Sequence, residues 1–261
     1  MPYLRTTAIA KTLAIVNQKG GVGKTTTAVN LAAGLALAER PTLLVDLDPQ
    51  GNATTGLGVQ KSGLYPTVYH VLLGSETAEK AIRETGLAHL KLLPSDIDLV
   101  GAEIELVSLE QREHRLRIAL DPVANGYDFV IVDCPPSLGL LTINALVAAD
   151  RVLVPLQCEF YALEGLTHLL KTVKLVRERL NRALDVAGIV LTMFDGRTSL
   201  ALQIRDEVQQ YFRGQIFDTI IPRNVRLTEA PSHGKPVMLH DLRSSGSIAY
   251  LELTREVLQH E

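Results

Sequence analysis

The fold is decided by residues 13–27, which read Leu-Ala-Ile-Val-Asn-Gln-Lys-Gly-Gly-Val-Gly-Lys-Thr-Thr-Thr. An apolar run comes first, a glycine-rich turn follows, and a helical pattern begins near Thr25. In such a turn, successive backbone N–H groups and the positive end of the helix dipole converge where a polyphosphate can bind. The stretch therefore predicts a phosphate-binding loop between a strand and a helix.

Roles for single residues follow from this loop. We predict that Lys24 reaches the β- and γ-phosphates and that the Thr25 hydroxyl contacts Mg²⁺. The usual pattern has glycine at position 18, where this chain has Gln18, and a second lysine, Lys19, comes next. Two lysines in one loop repel each other unless an anion lies between them, so Lys19 is predicted to contact a phosphate too. The alternative is a solvated lysine beside an ordinary loop. The predicted nucleotide-binding residues of the loop are Lys19, Gly20, Gly21, Val22, Gly23, Lys24, Thr25 and Thr26.

Two further apolar runs end in carboxylates. Residues 43–48 read Leu-Leu-Val-Asp-Leu-Asp, and residues 129–133 read Phe-Val-Ile-Val-Asp. A rigid strand can aim its terminal aspartate at Mg²⁺, and Asp133 is predicted to do so through a metal-bound water. We expect the Asp46 and Asp48 side chains to point to opposite faces if the earlier strand continues, and therefore to have different roles. We assign Asp48 to orienting the attacking water and Asp46 to holding the site's hydrogen bonds. A strand-end aspartate can also be only a turn former, but the loop upstream favours the functional interpretation.

Composition limits the classes of protein. The 261 residues are 46% hydrophobic and 21% charged, as in ordinary globular proteins, and the net charge is −3. Binding to DNA therefore requires a local basic patch or an oligomer. The two cysteines, Cys134 and Cys158, fit a reducing compartment. Residues 1–11 hold too short an apolar stretch for a signal peptide, and no run is long enough for a membrane span. We expect a cytoplasmic, soluble protein.

Short apolar runs alternate with amphipathic stretches along the chain. Residues 166–180, for example, place leucines and valines in one helical stripe. This alternation predicts an α/β fold, a doubly wound and mainly parallel sheet with helices on both faces. We expect residues 1–261 to form a single domain with a short N-terminal extension over residues 1–11. The predicted strands span residues 12–17, 42–46, 90–93, 129–133, 151–156, 186–192 and 217–221.

These motifs together resemble one known family. The chain is similar to the deviant Walker ATPases of the ParA/MinD superfamily, and within it to the ParA/Soj partition branch. The similarity runs from Leu13 to the end of the chain and is highly specific. The segments that carry it are residues 19–26, 46–52, 133–138, 159–165, 221–226 and 229–236.

The resemblance implies a mechanism and partners. It implies a homodimer that sandwiches ATP and Mg²⁺, with Lys19 crossing to the partner's nucleotide. It implies slow hydrolysis in which Asp48 positions water, and base contacts by Pro222 and Asn224. Family members bind double-stranded DNA without sequence preference, and a ParB-type centromere-binding protein stimulates their hydrolysis. The resemblance thus implies a nucleoid-associated protein that segregates chromosomes or plasmids.

Basic residues that could contact DNA phosphates lie at two places. Arg197 and Arg226 lie in predicted loops and are the candidate DNA-binding residues. Lys171, Lys174 and Arg177 recur at helical spacing, and a solvated charged face is the alternative for all of these residues.

Only about ten residues precede the first strand. An N-terminal helix-turn-helix is therefore not expected. Residues 248–261 carry more Glu than Arg, which disfavours a membrane-surface helix.

Two other functions use the same phosphate-binding loop. An electron-transfer protein of this superfamily could hold an iron–sulfur cluster between subunits through Cys134 and Cys158. Both cysteines follow apolar strands, however, where free cysteine usually packs as a small hydrophobe. A metabolic enzyme that phosphorylates or ligates a small acid would need an acceptor pocket, which the sequence does not identify.

Overall fold

The computed structural model describes residues 10–212 and 214–260. The predicted N-terminal extension over residues 1–11 therefore lies mostly outside the described residues. The strands are β1 Lys11–Ile15, β2 Thr42–Asp46, β3 Arg83–Glu84, β4 Leu90–Leu93, β5 Phe129–Asp133, β6 Arg151–Gln157, β7 Asp185–Phe194 and β8 Ile216–Pro222. The helices are α1 Lys24–Leu37, α2 Asn52–Gly56, α3 Val68–Leu73, α4 Ala78–Ala81, α5 Leu99–Glu105, α6 Arg115–Ala124, α7 Leu140–Ala148, α8 Ala162–Arg179, α9 Ser199–Tyr211, α10 Val225–Glu229, α11 Val237–His240 and α12 Ser245–His260.

The strands form one sheet in the order β3-β4-β2-β5-β1-β6-β7-β8. Every neighbouring pair is parallel except β3 and β4. The predicted α/β, doubly wound and mainly parallel fold is confirmed. All seven predicted strands are present, while the short antiparallel β3 was not predicted.

Both faces of the sheet are covered by helices. Along β1, Ala14 packs into a core that also contains residues of α6, α7 and α8, whereas Leu13 and Ile15 pack on the opposite side with α1 and α12. A strand buried on both faces must be apolar at consecutive positions. This explains the continuous Val, Ile and Leu runs of the sequence.

The C-terminal helix belongs to the core. Tyr250 of α12 is fully buried, and its hydroxyl lies 3.0 Å from the Thr27 hydroxyl of α1. On its outer side, the Glu256 carboxylate accepts hydrogen bonds from the backbone N–H groups of Asp218 (2.6 Å) and Thr219 (3.1 Å) in β8. The helix thus covers the edge strand of the sheet. Among the described residues, no helix is long and apolar enough to span a lipid bilayer.

Candidate functional site

The phosphate-binding loop connects β1 to α1 at the carboxyl edge of the sheet. Gly21 and Gly23 have φ values of 75° and 85°, which glycine adopts without strain. Gly23 is the N-cap of α1, and among the described residues no side chain caps this helix end. The first-turn N–H groups of α1 therefore remain available to an anion.

Two polar side chains from distant parts of the chain hold this loop in place. The Asn17 side chain accepts a hydrogen bond from the Lys19 N–H (3.0 Å) and donates one to the Pro155 carbonyl of β6 (2.7 Å). The Thr192 hydroxyl of β7 donates to the Val22 carbonyl (2.8 Å). Neither Asn17 nor Thr192 carries a local sequence signal for this role, because their partners depend on which strands are neighbours.

The two lysines of the loop lie in different environments. The Lys24 side chain is turned inward: the residue is only 5% exposed, and its Nζ donates to the Lys19 carbonyl (2.9 Å). Burial lowers the pKa of Lys24, and the negative charges of Asp133 and Asp48 oppose that shift. A buried ammonium group beside uncapped helix N–H groups is suited to phosphate.

The Lys19 ammonium group lies at the surface instead. It pairs with the Glu159 carboxylate, and the two side chains are 45% and 42% exposed. A pair this exposed contributes little to stability. The Lys19 side chain can therefore leave Glu159 at small cost and contact another group.

Asp46 ends β2 and is completely buried. Its carboxylate accepts two hydrogen bonds from Thr54, one from the N–H and one from the hydroxyl (both 2.7 Å), and a longer one from the Asp48 N–H (3.3 Å). Burial raises the pKa of Asp46 to about 6, although the Thr54 bonds oppose the rise. Asp46 therefore ties α2 and the following loop to the end of β2.

Asp48 lies two residues beyond the end of β2. The expectation that Asp46 and Asp48 point to opposite faces of a continuing strand is wrong, because residues two apart on a strand share a face. The strand also stops at Asp46, so strand alternation does not set the direction of the Asp48 side chain. Asp48 is 7% exposed, and its Oδ1 accepts a hydrogen bond from the Gln50 N–H (2.9 Å). The negative charge of Asp48 raises the pKa of both Lys24 and Asp133, so Asp48 lies close enough to interact with both groups.

Asp133 ends β5 directly opposite Asp46 in the parallel register. Both of its carboxylate oxygens are buried, and neither has a hydrogen-bond partner among the described residues. Burial and the charge of Asp46 raise the pKa of Asp133 well above its usual range. The Thr25 hydroxyl opposes that rise, but its geometry falls short of a hydrogen bond. Two unsatisfied carboxylate oxygens facing a threonine hydroxyl fit a hydrated Mg²⁺.

The predicted base-contact residues lie after β8. Pro222 is the last residue of that strand, and Asn224 is the N-cap of α10. The Asn224 side chain accepts from the Arg226 N–H (2.8 Å) and donates to the Ser245 hydroxyl (2.8 Å). These bonds fix the amide of Asn224 at the same edge of the sheet as the phosphate-binding loop.

The two candidate DNA-contact arginines lie in neighbouring segments. Arg197 lies in the loop after β7, whereas Arg226, predicted to lie in a loop, is in the first turn of α10 after β8. Both segments begin where β7 and β8 pair, with Phe194 opposite Pro222. Neither arginine is a free cation. The Arg197 guanidinium donates to both oxygens of Asp195 (2.8 and 2.6 Å), which lowers the pKa of Asp195 to about 2. Arg226 contacts two carboxylates, those of Glu229 (2.7 Å) and Asp241 (3.3 Å).

Comparisons with known proteins identify the family. A family model described as an AAA domain matches residues 10–186. Over 249 residues the chain is 55% identical to the sporulation initiation inhibitor protein Soj of Bacillus subtilis, covering 95% of this chain and 98% of that protein. It is 54% identical over 253 residues to the chromosome partitioning protein ParA of Myxococcus xanthus, covering 97% and 89%. The chain belongs to the ParA/Soj family of chromosome-partitioning ATPases.

Solved structures agree with the ParA/Soj fold and ligands. One described as cobyrinic acid a,c-diamide synthase from Mycobacterium smegmatis, with bound ATP analog and magnesium, has a TM-score of 0.86 and 38% identity. The match covers 97% of this chain and 96% of that one. The fold family of the ParA/Soj proteins therefore binds nucleotide and Mg²⁺. The names of the relatives, among them the chromosome-partitioning ATPase Soj of Treponema pallidum (52% identical), support a role in chromosome partitioning and an ATPase activity.

The buried Asp133 carboxylate leads to a prediction about stability. Since the folded protein holds its proton above the ordinary pKa, the unfolded chain releases the proton first as pH rises. The free energy of unfolding should therefore fall as pH rises through the folded pKa. In nucleotide-free protein, Asp133→Asn should raise that free energy by about 2 kcal/mol near pH 8, as expected for removing one unpartnered buried charge. Urea unfolding at several pH values measures this.

Asp46→Asn is the matched control for this prediction. It also removes a buried carboxylate, but one that accepts three hydrogen bonds, so it should destabilise the protein. A loss of stability in Asp133→Asn comparable to that in Asp46→Asn would contradict the argument.

Proposed function

We propose that this chain is an ATP-driven dimerisation switch that binds double-stranded DNA without sequence preference. A ParB-type partner would stimulate its slow ATP hydrolysis and so drive chromosome or plasmid segregation. We further propose that the chain works as one ATPase domain on the nucleoid, in the cytoplasm. The observation that carries the proposal is the contrast between the two lysines: Lys24 is turned into the site, while the Lys19 ammonium group lies at the surface beside it.

Each residue of the site has a role in this proposal. Lys24 and the backbone N–H groups from Gly20 to Thr26 neutralise and orient the phosphates. Lys19 reaches the nucleotide of the partner subunit, so the γ-phosphate becomes part of the dimer contact. Asp48 orients the attacking water, and Asp46 fixes the loop that carries Asp48.

The metal and the base are assigned in the same way. Thr25 and, through water, Asp133 would hold Mg²⁺, which when bound neutralises negative charge on the phosphates. Pro222 and Asn224 would contact the base. After hydrolysis the bridging negative charge is lost, the segments after Asp48 and Asp133 relax, and the dimer separates and releases DNA.

DNA binding requires the dimer in this proposal. One chain has a net charge of −3, and the charges of Arg197 and Arg226 are balanced by their carboxylate partners. Phosphates would have to displace Asp195 from Arg197 and Glu229 from Arg226. A dimer carries two copies each of Arg197 and Arg226. Displacement is easier in the dimer, because both copies bind the same polyanion.

The two rival functions have less support. Cys134 and Cys158 are both buried, and burial raises the pKa of each thiol, that of Cys158 to about 11. Such protonated, enclosed thiols are poor ligands for a cluster between subunits. A cavity of about 740 Å³ is lined mainly by residues of α4, β3 and α6 and by Tyr127. None of its lining residues belongs to the phosphate-binding loop or to the strand-end aspartates, so it does not serve as an acceptor pocket.

Binding to random-sequence duplex DNA tests this function. We expect tight binding with ATP and Mg²⁺ and weak binding with ADP or without nucleotide. Affinity should fall about tenfold or more between roughly 50 and 200 mM salt, because the contacts are to phosphates. Arg197→Glu and Arg226→Glu should each lower the ATP-dependent affinity and the steepness of the salt dependence. Fluorescence anisotropy with labelled DNA measures both.

Lys80→Glu is the control for the arginine variants. Lys80 is also an exposed cation paired with a carboxylate, that of Glu76 (3.0 Å). It lies in α4, next to edge strand β3, whereas the two arginines lie beside β7 and the other edge strand, β8. It should leave DNA affinity nearly unchanged. Equal losses in all three variants would show a general charge effect, and no DNA binding by ATP-loaded protein would refute the proposed switch.

A further inference from the structure

The loop after β4 packs directly against the loop that carries Asp48. Ser95, in the first of these loops, is completely buried. Its hydroxyl donates a hydrogen bond to the Asp48 carbonyl (2.9 Å), and its N–H donates one to the Thr54 hydroxyl (3.0 Å). A serine from a neighbouring strand end thus holds the backbone of the residue proposed to orient water.

Thr54 extends this contact into a chain of hydrogen bonds. Its hydroxyl accepts from the Ser95 N–H and donates to the Asp46 carboxylate (2.7 Å). Ser95 of the β4 loop, Thr54 of α2 and Asp46 of β2 are all completely buried. Because β2 and β4 are parallel neighbours, their carboxyl ends meet here, and the chain fixes one loop against the other.

The turn after Asp48 has no room to shift toward Ser95. The Gly51 N–H donates to the Asp48 carbonyl (2.8 Å), which also accepts from Ser95. Gly51 has a φ of 58°, and a Cβ atom added to it would lie 2.9 Å from the Ser95 carbonyl oxygen. Asp48 is therefore held through its carbonyl by two donors, in a turn that is in close contact with Ser95.

We propose that Ser95 is a positioning residue for ATP hydrolysis, acting through Asp48. This inference rests on the proposed role of Asp48. Removing the Ser95 hydroxyl leaves the Asp48 carbonyl with one donor fewer, so the Asp48 carboxylate samples positions that do not orient water. Small misplacements of a catalytic group lower the rate strongly, whereas the phosphate-binding loop, which Ser95 does not contact, keeps its affinity for ATP.

Steady-state and single-turnover hydrolysis by the full chain test this inference. Ser95→Ala should lower kcat and the single-turnover rate about tenfold, the effect of losing one positioning hydrogen bond, with KM and Kd for ATP unchanged within about twofold. Thr54→Val should also lower kcat, and the conservative Thr54→Ser should retain it. The Thr54 pair gives an answer even if Ser95→Ala fails to fold. A wild-type kcat in Ser95→Ala, or equal rates in both Thr54 variants, would overturn the inference.

A double-mutant cycle separates positioning from general damage. In an Asp48→Ala background, Ser95→Ala should slow hydrolysis no further, because the group that it positions is gone. A further tenfold loss there would show that Ser95 does not act through Asp48. If Asp48→Ala alone hydrolyses ATP normally, the proposed role of Asp48 fails; if Asp48→Ala is slow and Ser95→Ala is normal, only the positioning role fails.

Discussion

Replacing Lys19 with alanine is expected to leave ATP binding intact while abolishing ATP-dependent dimer formation and most of the hydrolysis. ATP binding should remain because Lys24, Thr25 and the backbone of the loop are unchanged, and the Lys19 side chain contacts none of them. Hydrolysis should fall about 10³-fold, the size of effect known for a cation supplied in trans to phosphoryl transfer. Light scattering with ATP measures the dimer, and calorimetry with a non-hydrolysable analogue measures binding.

Glu159→Gln is the matched control for Lys19→Ala. Both variants remove the surface pair between Lys19 and Glu159, but only Lys19→Ala removes the ammonium group. If the pair itself mattered, both would lose dimerisation. We expect Glu159→Gln to dimerise at least as well as wild type, since its Lys19 side chain is released. An unaltered dimer mass in Lys19→Ala would refute the role in trans.

Much of the fold could be predicted because the sequence signals for most strands lie within the strands themselves or next to them. The bounds of β2, β4 and β5 agree with the sequence prediction, since each is a short, largely apolar segment with a local boundary signal. Pro41 precedes β2, Pro94 follows β4, and Asp133 ends β5. The strand β3 was missed because its two residues, Arg83 and Glu84, are polar and form a short antiparallel pair at the sheet edge. No hydrophobic pattern marks such a strand.

Some parts of the candidate site also have local sequence signals, whereas others depend on which strands are neighbours. The phosphate-binding loop and the strand-end aspartates could be proposed from the sequence because each is a short segment with its own signature. The contact of Ser95 with Asp48 could not be predicted, since it exists only because β4 lies next to β2. The pairing of Arg197 with Asp195 could have been predicted from the sequence, because the two residues are only two positions apart.

Replacing Asp48 with alanine is expected to trap the ATP-bound dimer on DNA. Nucleotide and Lys19 contacts remain in this variant, but the group that orients water is lost, so hydrolysis should fall about 10²- to 10³-fold. Without hydrolysis the bridging γ-phosphate persists, and dissociation from DNA should slow in proportion. Release of phosphate and the lifetime of the DNA complex after ATP is removed measure the two effects.

Asp48→Asn separates catalysis from turn formation. The Asp48 Oδ1 accepts a hydrogen bond from the Gln50 N–H (2.9 Å), and a strand-end aspartate can serve only to make such a turn. Asparagine can keep this bond, because its side-chain oxygen also accepts, but it lacks the negative charge. If Asp48 acts on water, Asp48→Asn should be nearly as slow as Asp48→Ala and should also remain on DNA. If Asp48 only forms the turn, Asp48→Asn should hydrolyse ATP at the wild-type rate, and the catalytic role would have to be assigned to another residue.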